Sequence, residues 1–229
     1  MKLSLQQKVL LSIGVVAGIG ALAGAGTFAT FTAQTTNPTN TFANGTLVLS
    51  NKVGSGTACL STGGGNTDTN ANGSCDTAFS LAVKAPGDSS TANITLQNMG
   101  SLAASALKVF SGSCTDADAA GEAYHGTGSP CGAVQLYIQQ YSDAFGTPSA
   151  CLYGGASGAT CDWSDTSKTL SAFVAAHPNL AGGLSAGSLA VNGGADTTWI
   201  RIGVKLPSSA DNSYQGRSAS LALNWHITQ

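Results

Sequence analysis

Charge is what this 229-residue chain has least of: Asp, Glu, Lys and Arg make up 9% of it, against about 25% in an ordinary globular domain. Of its eleven acidic residues only Glu122 is a glutamate. Glu, Lys and Arg are the residues that decorate exposed helix faces, so their scarcity argues for strands joined by polar loops. Nine cations against a net charge of −2 give no basic groove to neutralise a run of phosphates, which excludes nucleic acid as a partner. There is no C-x-x-C pair, no H-x-x-x-H spacing and no H-E-x-x-H, so neither a zinc site nor a metalloprotease motif is legible. The chain reads as a non-enzyme without cofactor or metal. Gly (30 residues), Ser, Thr and Asn carry its solubility.

One long uncharged apolar run is present, between Lys8 and Thr30. Lys2 and Lys8 supply a positive leader, Val9 to Leu22 an apolar segment, and small residues follow, the layout of a secretory signal peptide over 1–29. A membrane anchor would want about 18 strongly apolar residues, and many here are Ala and Gly. Ala23-Gly24-Ala25 and Thr27-Phe28-Ala29 both offer small-x-small cleavage sites. Cleavage leaves about 200 residues, enough for one domain with a substantial core. Losing Lys2 and Lys8 moves the net charge from −2 to −4. The expected product is secreted and extracellular, with no membrane association after signal removal.

Six cysteines, Cys59, Cys75, Cys114, Cys131, Cys151 and Cys161, form an even set in an exported chain and read as disulfides. Fifteen pairings are open. Neighbour pairing (59–75, 114–131, 151–161) is favoured because each bridge closes a short polar loop, which in the chain-entropy model contributes about 3 kcal/mol.

Period-two alternation marks strands at Leu47–Ser50, Phe79–Val83, Ala92–Gln97, Ser105–Phe110, Val134–Gln140, Thr197–Leu206 and Leu221–Thr228. In the sixth, Ile200, Ile202, Val204 and Leu206 face one way and Trp199, Arg201, Gly203 and Lys205 the other. Gly-rich polar stretches (54–73, 111–132, 145–162) lie between the strands and hold the cysteines or adjoin them. Leu170, Phe173 and Val174 space one short helix within Thr166–His177, stopped by Pro178. The expected fold is all-β: an antiparallel jelly-roll-like β-sandwich with long disulfide-stapled loops and one short helix.

Three stretches carry a family resemblance. They are G-A-G-T-F-A-T-F-T-A-Q-T-T-N-P-T-N-T-F-A-N-G-T-L-V-L-S (Gly24–Ser50), K-A-P-G-D-S-S-T-A-N-I-T-L-Q-N-M-G-S-L-A (Lys84–Ala103) and N-S-Y-Q-G-R-S-A-S-L-A-L-N-W-H-I-T-Q (Asn212–Gln229). In this order they resemble the signal junction, the central "P-G-D … N-x-G-S-L" strands and the C-terminal "Y-Q-G … T-Q" strand of the TasA/camelysin family. The resemblance covers about a third of the chain. It implies a jelly-roll subunit of surface or biofilm-matrix fibres, cleaved between Ala29 and Thr30. It also implies a freed segment 30–41 whose residues Thr30, Phe31, Thr32, Ala33 and Gln34 insert as a strand into the next subunit. The domain would then span 42–229, and the partners would be other copies in a head-to-tail homopolymer, with a cell-surface anchor protein as a further possible partner. The cysteines and the low charge depart from the family pattern. A monomeric secreted carbohydrate-binding or adhesin-type jelly-roll module is the alternative.

Other motifs weigh less. Gly183-Leu184-Ser185-Ala186-Gly187 matches G-x-S-x-G, but at this Gly and Ser content the match is cheap, and its surroundings read as loop. His125, His177 and His226 are the only candidate bases. Asp68-Thr69-Asn70-Ala71-Asn72-Gly73 opens like a calcium loop, yet Phe79 stands where the bidentate Glu belongs; Asp76 could add one oxygen. A polar Asn/Gly turn is the plainer reading. Asn44, Asn72 and Asn93 begin N-x-S/T sequons. Trp225 reads as core, whereas Trp199 faces outward, either under a loop or free to meet a sugar or a neighbouring subunit.

Overall fold

The chain divides into Met1–Ala43 and Asn44–Gln229. The computed structural model describes residues 45–64, 70–76, 85–191 and 195–229. Ala29, the segment Thr30–Gln34, Asn44, Asp68 and the strand expected at Phe79–Val83 lie outside the described residues.

Alternating apolar residues build the largest described sheet, from β1 (Leu49–Val53), β2 (Cys59–Leu60), β3 (Ser89–Asn98), β6 (Gln135–Tyr141), β7 (Pro148–Tyr153) and β11 (Thr197–Lys205). Its order is β2-β1-β3-β11-β6-β7 with every neighbour antiparallel. The turn before β3 is set by Pro86 and by Gly87 at φ +91°, the pair a type II turn requires. Asp88 closes that turn by accepting from the Ala85 amide at 3.0 Å. On the inward face Ile94 pairs with Ile200, and Ile202 with Ile138; all four are fully buried.

Against this face packs a smaller antiparallel sheet of β10 (Leu184–Ser185), β4 (Ala106–Phe110) and β13 (Asn224–Thr228), whose Leu107 and Val109 are also fully buried in the shared core. β5 (Cys114–Asp118) pairs with β12 (Arg217–Leu221), and β8 (Gly155–Ser157) with β9 (Thr160–Asp162). The architecture is all-β and sandwich-like. The expected C-terminal strand Leu221–Thr228 is in fact two, β12 and β13, broken at Ala222–Leu223. Opposite the break the Ser111 amide turns away to donate to the His177 carbonyl at 3.0 Å, which interrupts the ladder.

The expected helix forms as Leu170–Ala176, capped by the Thr169 hydroxyl accepting from the Ala172 amide. It ends at His177, before Pro178. Its start is later than the spacing suggested because Asp165 accepts from the Ser167 amide and hydroxyl, holding those residues in a non-helical turn. A single further turn, Pro130–Ala133, is capped by Ser129 with Pro at its start.

The cysteines pair as neighbours: Cys59–Cys75, Cys114–Cys131 and Cys151–Cys161. The stretches read as loops hold short strands of their own: β2, β5 and β7 to β9. Five of the cysteines sit on strands or in the Pro130 turn. Cys131 is buried and Cys114 packs on the core, so that bridge braces the core edge as well as its loop.

Candidate functional site

β13 borders its sheet, with β4 on one side and no described strand on the other. Its side chains alternate: Asn224 and His226 are exposed, while Trp225 and Ile227 turn inward. With Leu221 and Leu223 they pack against the core yet stay half-buried. The inward rows of β3 and β11 are sealed by comparison. Trp225 is therefore a rim residue rather than a sealed core residue. An edge strand with no neighbour among the described residues, beside a partly open apolar row, is a template for another strand.

One turn gathers both ends of the domain. Asn98, 3% exposed, donates to the Leu102 and Ala190 carbonyls and accepts from the Gly100 amide. Gly100 is required there, since a Cβ would come 2.2 Å from the Thr46 carbonyl oxygen. The Ser101 and Leu102 amides donate to Thr46, and the Ser105 amide to Thr228. Thr46, near the start of the described residues, therefore lies at the end of the domain where β13 finishes. A shallow depression at the same turn, lined by Ala103, Ala104, Ser105, Leu189 and Ala195 among others, carries no titratable side chain.

The remaining candidates are placed apart from this edge or tied up locally. Ser185 lies in β10, paired with Lys108, and not at a strand–turn–helix elbow; its hydroxyl accepts from the Gly187 amide. His177 bonds the Gly182 carbonyl and packs on Phe173 and Tyr153. His125 bonds the Gly216 carbonyl and lies 3.9 Å from Asp118, which pairs with Arg217. In the Cys59–Cys75 loop, Asn70 donates to the Leu47 carbonyl and Asn72 to the Leu60 carbonyl, so these amides hold the loop itself. Asp76 belongs to no group of three or more possible metal ligands, and none exists among the described residues. Asp143, Asp162 and Asp211 are held below the usual carboxylate range by hydrogen bonds from Thr147, Ser164 and Ser213 respectively. Each is a turn closure. No helix among the described residues is long and apolar enough to cross a membrane.

No family model and no curated protein matches this chain. The edge and its chemistry stand on the structure alone.

Proposed function

We propose that this chain is the structural subunit of an extracellular fibre, in which Thr30–Gln34 of one copy adds as a strand along β13 of the next. The observation that carries this reading is the β13 edge, without a neighbouring strand among the described residues, and its half-buried Leu221, Leu223, Trp225 and Ile227. The incoming segment presents Phe31 and Ala33 at period-two spacing, which suits alternate pockets along an apolar row. Ten residues, 35–44, separate it from the described domain; extended, they reach about 33 Å, far enough to enter a neighbour. A contact of this kind is head-to-tail and does not close, so it propagates as a filament. Disulfides fit the oxidising space outside the cell, and the jelly-roll description, the signal cleavage at Ala29 and Thr30 and a surface anchor partner belong to the same proposal.

Electron microscopy of secreted protein with and without Thr30–Thr41, at equal concentration, tests it. Filaments from the full mature chain and folded monomers from the deletion are expected. Normal filaments from the deletion variant would remove the strand-insertion mechanism. Monodisperse monomers from both chains would favour the monomeric carbohydrate-binding module, the reading that the aromatic outer face of the large sheet supports.

A further inference from the structure

We propose that the outward face of the six-stranded sheet binds an acidic glycan, a polysaccharide bearing carboxylates on its sugar rings. The proposal does not depend on assembly. Strand register sets Lys52, Thr95, Trp199 and Tyr141 in one row across β1, β3, β11 and β6. The next rows are Asn93–Arg201–Gln139, then Thr91–Gly203–Tyr137. None of the six strands carries an Asp or Glu. The strands place Lys52, Arg201 and Lys205 on this face of a chain whose net charge is negative, and Asp196 meets the face at its end, where it accepts from Gln97.

Arg201 is the centre of the face. Its guanidinium carbon lies 4.9 Å from the ring centroid of Tyr141 and 5.9 Å from that of Phe145, and its Nε donates to Asn93 Oδ1 at 2.9 Å. It is half-buried and makes no ion pair among the described residues. A cation oriented by two rings and an amide, partly desolvated and with no ion-pair partner among the described residues, is suited to receive an anion. Further along β11 the ring of Tyr137 lies on Gly203, where a Cβ would come 2.3 Å from it. Tyr137 also meets Trp163 at 4.6 Å, and Lys205 sits 5.9 Å from the Trp163 ring. Burial raises the Tyr137 phenol, and Arg201 partly opposes that rise.

Along β11, therefore, Trp199, Arg201, the Tyr137-covered Gly203 and Lys205 follow one another at about 6.8 Å per step. Aromatic faces take the C–H faces of sugar rings, Asn and Thr side chains take hydroxyls, and the cations take carboxylates. A nucleic acid would ask for many more cations. A protein partner would ask for a continuous apolar centre, which Thr91, Asn93 and Thr95 interrupt.

Titration calorimetry of the secreted protein with oligogalacturonate, a neutral glucan oligomer and poly-aspartate tests the assignment. Oligogalacturonate should bind at least about tenfold more tightly than either control, a difference of about 1.4 kcal/mol, and weaken as salt rises. Arg201→Gln and Trp199→Ala should each lose about tenfold. Lys52→Gln, at an exposed position that cannot disturb folding, should lose a smaller factor. Equal binding of the glucan would overturn the acidic specificity, equal binding of poly-aspartate the glycan class, and no binding of oligogalacturonate the site itself. Filament formation by Arg201→Gln should be unchanged, so this proposal and strand insertion fail separately.

Discussion

Replacing Gln139 with leucine should remove about 3–5 kcal/mol of stability, although the side chain points to the outer face of β6. Gln139 is 2% exposed. Its Nε2 lies 2.8 Å from each of the Gln140, Ala150 and Ala159 carbonyl oxygens, and its Oε1 accepts from the Cys161 amide. Three carbonyls around the nitrogen and an N–H at the oxygen leave only one orientation of the amide. Its two N–H hydrogens are shared among three acceptors. Leucine restores the packing volume but leaves the Cys161 N–H without its acceptor and takes a donor from each of the three carbonyls, losses of about 1–3 kcal/mol for each buried group left unsatisfied. Against a total of about 5–15 kcal/mol for a domain, that is a large fraction. Because Cys151–Cys161 tethers the β8–β9 hairpin, the loss should show first as local opening. Urea unfolding of oxidised protein gives the magnitude, and amide exchange at Cys161 gives the location. A change under about 0.5 kcal/mol, the range of ordinary surface substitutions, with unaltered exchange at Cys161, would refute the reasoning.

Ile202→Ala, at a fully buried position on β11, should cost about 2–5 kcal/mol in the same urea assay. Removing the Cys114–Cys131 bridge by a double Ser substitution should cost about 3 kcal/mol by loop entropy, read as a lower thermal midpoint under non-reducing conditions. Burial, with a smaller contribution from Asp165, pushes the Tyr153 phenol up to about 12. Its stabilisation is therefore complete below about pH 10 and lost as pH rises through about 12. Alkaline unfolding followed by circular dichroism should show a drop in that window that Tyr153→Phe reduces; an identical profile for the variant would assign the drop elsewhere.

Period-two alternation placed β3, β4, β6 and β11 within a few residues and gave the correct face for Ile94, Ile138, Ile200 and Ile202, because side-chain direction along a strand is a local property. The helix at Leu170–Ala176 and the neighbour disulfides were legible for the same reason: spacing and short loop closure are properties of nearby residues. Arg201 and Lys205 were likewise legible as outward residues of β11. What alternation cannot report is what covers a face. Gln139 reads as an exposed polar residue, yet the β8–β9 hairpin folds over it and makes it a buried junction. Tyr141 falls one residue beyond the expected strand Val134–Gln140, yet it continues β6 and is 7% exposed under Phe145 and Arg201. The break between β12 and β13 arises from Ser111 bonding His177, 66 residues away, and no window along the chain contains both. The sequence by itself determined which residues could be strand, which way they face and how many bridges could form. Only the tertiary structure decided which strand borders its sheet among the described residues, which rings hold Arg201 and which polar side chains are buried, because each depends on contacts between segments distant in the chain.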